Sequence, residues 1–322
     1  MKPSRIRKQF VDTPLARVAY VEAGDPKTPT VLLVHGIPTS SYLWRDVIDV
    51  LKREFHCLAP DLMGLGDTVV DPTADLGMVR QAEMLDAFLD AIGVGKVHLV
   101  AHDQGGAAGQ IFATRFTARV RRLVLTDCVA YDNWPVPAIR QMQLYAKLPF
   151  ADWVNRTGLM QWIETDTRLS KFRRGVARRS RMSSDSIAEY LRPLQGTRDE
   201  RRRFMQFVLA GSASCTMAVA PALRNLFVPT MVLWGAEDRY IPARWGRRLY
   251  EDIPGAERFE LMADAGHFWQ EERPEAFARS IGGFLRIKAA RPKRPRLRVV
   301  DGCQRRPRPL AATTNAAVKE AP

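Results

Sequence analysis

Short apolar runs alternate with amphipathic stretches along most of the chain. Several runs are almost uninterrupted series of Val, Leu and similar side chains, at residues 30–34, 97–101, 120–126 and 230–235. Continuous apolar runs of this length are typical of parallel strands covered on both faces. Residues 78–92 instead carry apolar side chains at helical spacing and end before Gly93. The pattern predicts an α/β fold with a mostly parallel, doubly wound sheet.

Residues 131–228 differ from the rest, because helical patterning continues there without a convincing buried strand. The segment falls between two predicted sheet strands, above the strand ends where open α/β sheets bind ligands. We therefore predict a helical lid at 131–228, inserted between a first core part at 1–130 and a second core part at 229–288.

The net charge of +14 is concentrated at the end of the chain. Residues 289–322 hold nine Lys or Arg against one Asp and one Glu, which is half of the net charge. Five prolines and few large apolar side chains predict that this basic tail is disordered. The remaining arginine clusters lie in the predicted lid, and such clusters are typical of solvated helix faces. Nucleic acid is therefore not the expected partner.

The sequence also bears on the compartment. No apolar run approaches the roughly 20 residues of a membrane span. No continuous apolar stretch follows the basic residues at the start, as a secretory signal would require. The four cysteines are scattered without CxxC spacing, which argues against a disulfide framework and a zinc site. We expect a cytoplasmic protein with reduced thiols and no membrane partner.

The apolar run at 97–101 leads into His102-Asp103-Gln104-Gly105. Small residues at Ala101 and Gly105 let a helix start close to a strand, which is the spacing of a nucleophile elbow. A carboxylate held on such a turn can attack carbon and form an alkyl-enzyme ester. Taken alone, Asp103 is better explained as a helix N-cap. The partners of Asp103 decide between the two interpretations.

Two downstream residues supply those partners. His267 follows the predicted short strand at 258–261 in a glycine-flanked turn, where a loop histidine can reach over the sheet edge. Asp238 follows the strand at 230–235 and can hold the imidazole in the tautomer that takes a proton from water. Their order along the chain, nucleophile, acid, base, favours catalysis. Other carboxylates remain alternatives for the acid: Glu237, Asp127 and Asp132.

Backbone N–H groups complete the predicted site. The turn His35-Gly36-Ile37-Pro38 follows a buried strand, and Gln104 follows the candidate nucleophile. The N–H groups of Ile37 and Gln104 can converge as an oxyanion hole. The isomer of the bond before Pro38 is not predictable from sequence.

The order of these motifs from residue 17 to 285 resembles the α/β-hydrolase superfamily. Residues 35–45 (HGIPTSSYLWR) and 61–67 (DLMGLGD) look like haloalkane dehalogenases and their epoxide-hydrolase relatives. The resemblance implies Asp103 as nucleophile, Asp238 as acid and His267 as base. It also implies a covalent ester formed from a small apolar alkyl substrate and released by water, without cofactor or metal.

The residues that hold the leaving group depart from this resemblance. Typical haloalkane dehalogenases carry tryptophan after the nucleophile and often asparagine after His-Gly, whereas this chain has Gln104 and Ile37. Candidates for the substrate and leaving-group pocket are therefore the Gln104 amide and lid aromatics: Trp134, Trp153, Trp162, Tyr145 and Tyr190. An epoxide oxygen needs an acid such as a lid tyrosine, so epoxide hydrolysis is the enzymatic alternative. A binding protein of hydrolase fold, with a polyanion on its basic tail, is the alternative outside enzymes.

Overall fold

The computed structural model describes residues 7–286 and 296–300, and within them nine strands form one sheet. The strands are β1 (Gln9–Asp12), β2 (Arg17–Ala23), β3 (Thr30–Val34), β4 (His56–Pro60), β5 (Val97–His102), β6 (Val120–Thr126), β7 (Thr230–Gly235), β8 (Ala256–Met262) and β9 (Arg296–Val300). Their order across the sheet is β1-β2-β4-β3-β5-β6-β7-β8-β9. β2 pairs antiparallel with β1 and β4, and the remaining pairs are parallel. The predicted α/β fold with a mostly parallel, doubly wound sheet is confirmed.

The helices of the core pack around this sheet. Every residue of β3, β5 and β7 is buried, as expected for strands covered on both faces. The predicted helix at 78–92 forms one residue shorter at its end. The core helices are α1 (Arg45–Leu51), α2 (Met78–Ala91), α3 (Asp103–Arg115), α10 (Ser214–Leu223), α11 (Arg244–Asp252), α12 (Trp269–Glu272) and α13 (Pro274–Leu285).

The lid consists of the six helices between β6 and α10. They are α4 (Pro137–Ala146), α5 (Ala151–Arg156), α6 (Leu159–Asp166), α7 (Lys171–Arg174), α8 (Ser184–Gln195) and α9 (Arg198–Ala210). The predicted lid at 131–228 also included α10, which packs against α3 in the core. Helical periodicity shows that a helix has an apolar face but not which body covers that face, so the sequence could not place this boundary.

The predicted disorder of the tail at 289–322 is wrong for residues 296–300. These five residues form β9, which pairs in parallel with β8. The outer edge of β8 offers unpaired N–H and C=O groups, and a segment that alternates Arg with Leu or Val can extend along it. The other tail residues lie outside the described part of the chain.

Cysteines and helix lengths bear on the predicted compartment. Cys57 and Cys128 are buried free thiols and Cys215 is a partly exposed one, while Cys303 lies outside the described residues. In the described ranges no single helix has both the length and the apolar composition of a membrane span. Helices α9 and α10, which meet at an angle of 57°, have that length and composition only when they are taken together.

Sheet topology creates a crevice beside β3. The chain passes from β3 to β4 on one side, whereas β5 pairs with β3 on the other side. The connections that leave β3 and β5 therefore diverge at the carboxyl edge of the sheet, which is where doubly wound folds bind ligands. The turn at 35–38 and the start of α3 face each other across this crevice.

Candidate active site

Asp103 lies at the sharp turn between β5 and α3. Its φ of +53° is in the left-handed region, where a residue other than glycine is strained and most often functional. The turn leaves no room for neighbouring side chains. A Cβ on Gly36 would lie 2.2 Å from Asp103 Oδ1, and a Cβ on Gly105 would lie 2.1 Å from the His35 carbonyl oxygen. The close approach of helix and strand predicted from Gly105 is thus present.

The structure brings Asp103, Asp238 and His267 together as a buried group. His267 Nδ1 lies 2.9 Å from Asp238 Oδ2, and His267 Nε2 lies 3.5 Å from Asp103 Oδ2. Asp238 is itself fixed, because its Oδ1 accepts the backbone N–H groups of Tyr240 at 2.8 Å and Ile241 at 2.9 Å. The imidazole is therefore oriented between the two carboxylates.

The electrostatics of His267 follow from this arrangement. Burial alone would lower the pKa of the imidazole, because desolvation disfavours the charged form. The carboxylates of Asp238 and Asp103 outweigh burial and hold the pKa of His267 well above its ordinary value. This shift favours the imidazolium form of His267 as long as Asp103 is a free carboxylate.

Asp127, the alternative acid, lies beside this group but does not bind the imidazole nitrogen. Its Oδ1 accepts the Gly235 N–H at 3.0 Å and its Oδ2 accepts the Trp269 indole N–H at 2.8 Å. Burial, followed by the charge of Asp238, raises the pKa of Asp127 well above its ordinary value. Glu237 and Asp132 are exposed. Asp238 is thus the acid that the geometry pairs with His267.

Asp127, Asp238 and His267 also form a cluster of the kind that can hold a metal ion. Their potential ligand atoms lie within 4.8 Å of one another. The carboxylate oxygens of Asp127 already accept protein N–H groups, and Asp238 Oδ2 pairs with His267 Nδ1. The donor set fits a hydrogen-bonded network better than a metal centre.

One predicted oxyanion donor is bound to the carboxylate. The Ile37 N–H donates to Asp103 Oδ1 at 2.8 Å, and the Ile37–Pro38 bond is cis. The backbone N–H of Gln104, the second residue of α3, stays a predicted donor. One oxygen of Asp103 is therefore anchored, while Oδ2 faces His267.

An apolar cavity lies above Asp103 and His267. Of the predicted pocket residues only Trp134 lines it, while Gln104 is buried and is not among the lining residues; the predicted oxyanion donor Ile37 also lines it. Its walls come mainly from α4, α6, α8 and the loops beside His267, with lining residues that include Pro38, Val136, Ile139, Met142, Met160, Glu164, Lys171, Phe172, Leu191, Leu194, Tyr240, Ile241 and Phe268. Most of these were missed, since a helical apolar stripe does not show whether it faces lid core or cavity.

Trp134 and Gln104 meet at one corner of the site. Trp134 lines the cavity with 4% of its surface exposed, and its indole N–H has no hydrogen-bond partner in the described part of the chain. Trp134 Nε1 and Gln104 Nε2 each lie 2.5 Å from the point that a Cβ on Gly211 would occupy. Two side-chain N–H donors therefore converge where only glycine leaves room for them.

Trp153 and Trp162 do not line the cavity, so their prediction as pocket residues is wrong. They are 66% and 56% exposed on the outer side of the lid. Sequence showed that the lid is rich in aromatics but not which way each helix is turned.

Tyr145 and Tyr190 also fail as pocket residues, because their hydroxyls are bound elsewhere. The Tyr145 hydroxyl donates to the Ala151 carbonyl at 3.0 Å and to Asn155 Oδ1 at 2.9 Å. The Tyr190 hydroxyl donates to the Glu271 carboxylate. Neither residue lines the cavity. Tyr145 thus connects α4 to α5 within the lid, whereas Tyr190 connects α8 of the lid to α12 of the core.

Two residues that support the His267 loop were not predicted from the sequence. His102 Nε2 lies 2.9 Å from the His267 carbonyl oxygen. Burial, together with the nearby His267, lowers the pKa of His102 to about 3, so the ring is neutral and its N–H can donate. Glu272 accepts the Gly266 N–H at 2.7 Å. Together they fix the loop of His267. The position of His102 directly before Asp103 was the feature of the sequence from which its role could have been predicted.

Comparisons with known proteins agree with this fold. Residues 29–274 match the family model described as the alpha/beta hydrolase fold. A haloalkane dehalogenase of Mesorhizobium japonicum is 28% identical, over 88% of this chain and 91% of that protein. A soluble epoxide hydrolase of Corynebacterium sp. is 30% identical, over 80% of this chain and 90% of that protein. The crystal structure of the ancestral haloalkane dehalogenase AncHLD2 is 27% identical, covers 86% of this chain and 98% of its own, and superposes with a TM-score of 0.70.

The sheet order, the strained elbow and the matched family model define the class of protein. The chain belongs to the α/β-hydrolase fold family. Within that family it belongs to the branch that contains haloalkane dehalogenases and epoxide hydrolases.

Proposed function

We propose that the chain hydrolyses carbon–halogen bonds of small or medium apolar alkyl halides through a covalent ester on Asp103. The observation that carries the proposal is a carboxylate at the elbow, with one oxygen on the Ile37 N–H and the other facing His267 beneath an apolar cavity. A serine elbow would serve acyl transfer, whereas a carboxylate can displace a leaving group from saturated carbon.

The first step forms the ester. Asp103 Oδ2 attacks the halogen-bearing carbon, a C–O bond forms, and the C–halogen bond breaks with its electron pair leaving on the halide. The indole N–H of Trp134 and the amide of Gln104 donate to the departing anion. Charge-assisted hydrogen bonds of this kind are stronger than neutral ones, and the Trp134 N–H has no competing partner among the described residues.

The second step releases the alcohol. Once Asp103 is esterified, one of the two charges that raise the pKa of His267 is gone, so the imidazolium loses its proton to solvent. Neutral His267 then takes a proton from water, and the hydroxide attacks the carbonyl carbon of Asp103. The Ile37 N–H stabilises the tetrahedral oxyanion. The bond between the carbonyl carbon and the alkyl oxygen then breaks, and the departing oxygen takes the proton of the newly added hydroxyl, which gives the alcohol and the free Asp103 carboxylate. The sum is alkyl halide and water to alcohol, halide and a proton.

Epoxide hydrolysis is the second candidate, and the positions of the tyrosines speak against it. Opening an epoxide creates an alkoxide that needs an acid at the leaving oxygen. The Tyr145 hydroxyl is bound within the lid, the Tyr190 hydroxyl is bound to Glu271 of α12, and the cavity-lining Tyr240 donates its hydroxyl to the Lys171 carbonyl. N–H donors suffice for a halide but not for an alkoxide. A role in polyanion binding alone would not need the assembled Asp103, Asp238 and His267.

The experiment replaces His267 with glutamine and incubates the variant with a bromoalkane. We expect the alkyl ester to accumulate, seen by mass spectrometry as the mass of the alkyl group on the peptide that contains Asp103. Asp103→Asn is the matched control and should gain no mass. A bromoalkane that the native enzyme turns over but that leaves no adduct on the His267 variant would refute the ester mechanism.

Substrate class is tested separately on the native enzyme. Bromoalkanes and a styrene-type epoxide of similar size are compared by kcat/KM under the same conditions. The proposal expects a clear preference for the bromide. A preference for the epoxide would move the chain to the second candidate while leaving the ester on Asp103 intact.

A further inference from the structure

The outer side of the lid carries a group of exposed apolar side chains that no step above uses. We call it the lid patch, and it consists of Leu144, Leu148, Phe150, Trp153, Leu159 and Trp162, each at least 42% exposed. Scattered exposed apolar residues are normal on a protein surface, but two tryptophans among six such residues in a short segment indicate an interaction site.

Hydrogen bonds and packing hold together the helices that carry the lid patch. The Tyr145 hydroxyl ties the end of α4 to α5 through the Ala151 carbonyl and Asn155, and α5 packs against α6. Leu159 and Trp162 are three residues apart on α6, and so lie on the same side of that helix. The same helix contributes Met160 to the cavity above Asp103. The lid patch therefore lies close to the substrate cavity.

Positive charge surrounds the lid patch. Residues 137–182 contain ten Lys or Arg against three Asp or Glu. Lys147 and Arg156 are exposed and lie between the apolar residues along the chain, and the exposed Arg168 follows them. Of the three acidic residues, Asp152 is paired with Arg201 at 2.6 Å, Glu164 is buried, and Asp166 is exposed. The complementary surface must therefore be both apolar and anionic.

We infer that the lid patch docks on a bilayer of anionic phospholipid. Segments that lie in the membrane interface are typically rich in tryptophan and leucine flanked by Lys and Arg. Each cation near an anionic leaflet adds electrostatic attraction. A second copy of this chain would bring another strongly cationic lid against the first, with like-charge repulsion. The inference departs from the expected lack of a membrane partner, which rested on the lack of a spanning segment.

Docking in this orientation places the cavity beside the membrane. Apolar alkyl halides partition into hydrocarbon, so a membrane-docked lid would receive substrate from the bilayer. This consequence rests on the proposed function, whereas docking itself does not. The two are separated by measuring lipid binding without substrate and turnover without lipid.

The experiment uses the full chain and vesicles of phosphatidylglycerol with phosphatidylcholine. We measure binding by flotation and the quenching of tryptophan fluorescence by lipids brominated on their acyl chains. Trp153→Ser with Trp162→Ser should weaken binding by at least about tenfold, because apolar area is lost without a change of charge. Trp153→Phe with Trp162→Phe should retain binding but lose most of the quenching. The matched control is Phe227→Ser, an exposed aromatic outside the lid at 74% exposure, and it should bind as the native chain does.

Three outcomes would overturn the inference. One is equal binding and quenching of the native chain and the double Ser variant, which would assign adsorption to net charge alone. Another is no binding to the anionic vesicles. The third is a concentration-dependent dimer, seen by analytical ultracentrifugation, that the double Ser variant abolishes. Turnover of a short, water-soluble bromoalkane should be unchanged in the double Ser variant, since neither tryptophan lines the cavity.

Discussion

Trp134→Phe is expected to slow cleavage of the carbon–halogen bond while leaving the stability of the protein almost unchanged. The variant removes the indole N–H and keeps an aromatic ring in the wall of the cavity. A hydrogen bond to a charged group contributes about 1.5–3 kcal/mol. Because about 1.4 kcal/mol is a factor of ten in rate, kcat/KM for a bromoalkane should fall about 10- to 150-fold.

The effect on stability follows from the state of the same N–H. In the described part of the chain it is buried without a partner, and leaving such a donor unsatisfied costs about 1–3 kcal/mol, which phenylalanine avoids. The smaller ring gives up roughly two carbons of buried surface and leaves a small gap, a cost of about 2 kcal/mol. The two contributions oppose each other, so the free energy of unfolding should change by about 1 kcal/mol or less.

Halide release and urea unfolding are measured on the native chain and the variant. Trp153→Phe is the matched control, because the same chemical change falls on a tryptophan that is 66% exposed outside the cavity. It should alter neither quantity. A Trp134→Phe variant with native kcat/KM would refute the role of the indole N–H in holding halide. A loss of stability above about 3 kcal/mol would show that the N–H is bonded within the folded protein.

Three further predictions concern the elbow, the base and the ion pair between Arg45 and Glu271. Gly36→Ala should reduce bromoalkane turnover at least about 100-fold with the fold retained by circular dichroism, since the new Cβ would lie 2.2 Å from Asp103 Oδ1 and displace the carboxylate. The rate of ester hydrolysis, followed in single turnovers, should rise with pH because neutral imidazole is the base. The rate should level off at a pH below the pKa that His267 has in the free enzyme, because the esterified Asp103 no longer raises that pKa. A rate that does not change with pH would refute this. Arg45→Met should lower the free energy of unfolding by about 3 kcal/mol, since it leaves the buried Glu271, now 2.6 Å from Arg45, without its cation; Arg45→Met with Glu271→Gln should recover part of the loss.

The sequence predicted the central strands from their continuous apolar runs, and it also predicted β8 from the short strand at 258–261. β3, β5, β6 and β7 are buried strands, and burial on both faces leaves a pattern that is visible without a structure. β1 is a short edge strand with three of its four residues exposed, so no such pattern marks it. β9 lies in a segment of arginine and proline, where only the free edge of β8 decides pairing.

The candidate catalytic residues were predictable because local chain geometry places them. Asp103, Asp238 and His267 each follow a strand end, and the carboxyl ends of parallel strands meet at one edge of the sheet. The cavity wall was predictable only in part, since it depends on how each lid helix is rotated. Trp134 precedes the first lid helix and reaches the cavity, whereas Trp162 sits on α6 and points outward.

The structure also explains how the buried Asp103 and Asp238 can flank the imidazole of His267 with Asp127 beside them. Burial and the charge of Asp238 raise the pKa of Asp127 well above its ordinary value, which favours the neutral form of Asp127. In the free enzyme, two carboxylates then surround one imidazolium, and the site carries a single negative charge. In the proposed ester, Asp103 is neutral and His267 has lost its proton, so Asp238 alone carries the same single charge. The buried site keeps its net charge between the two stages, and the proton leaves with the halide. An ionised Asp127 would add a second negative charge at both stages without a cation to balance it, which is costly in a site of low dielectric constant.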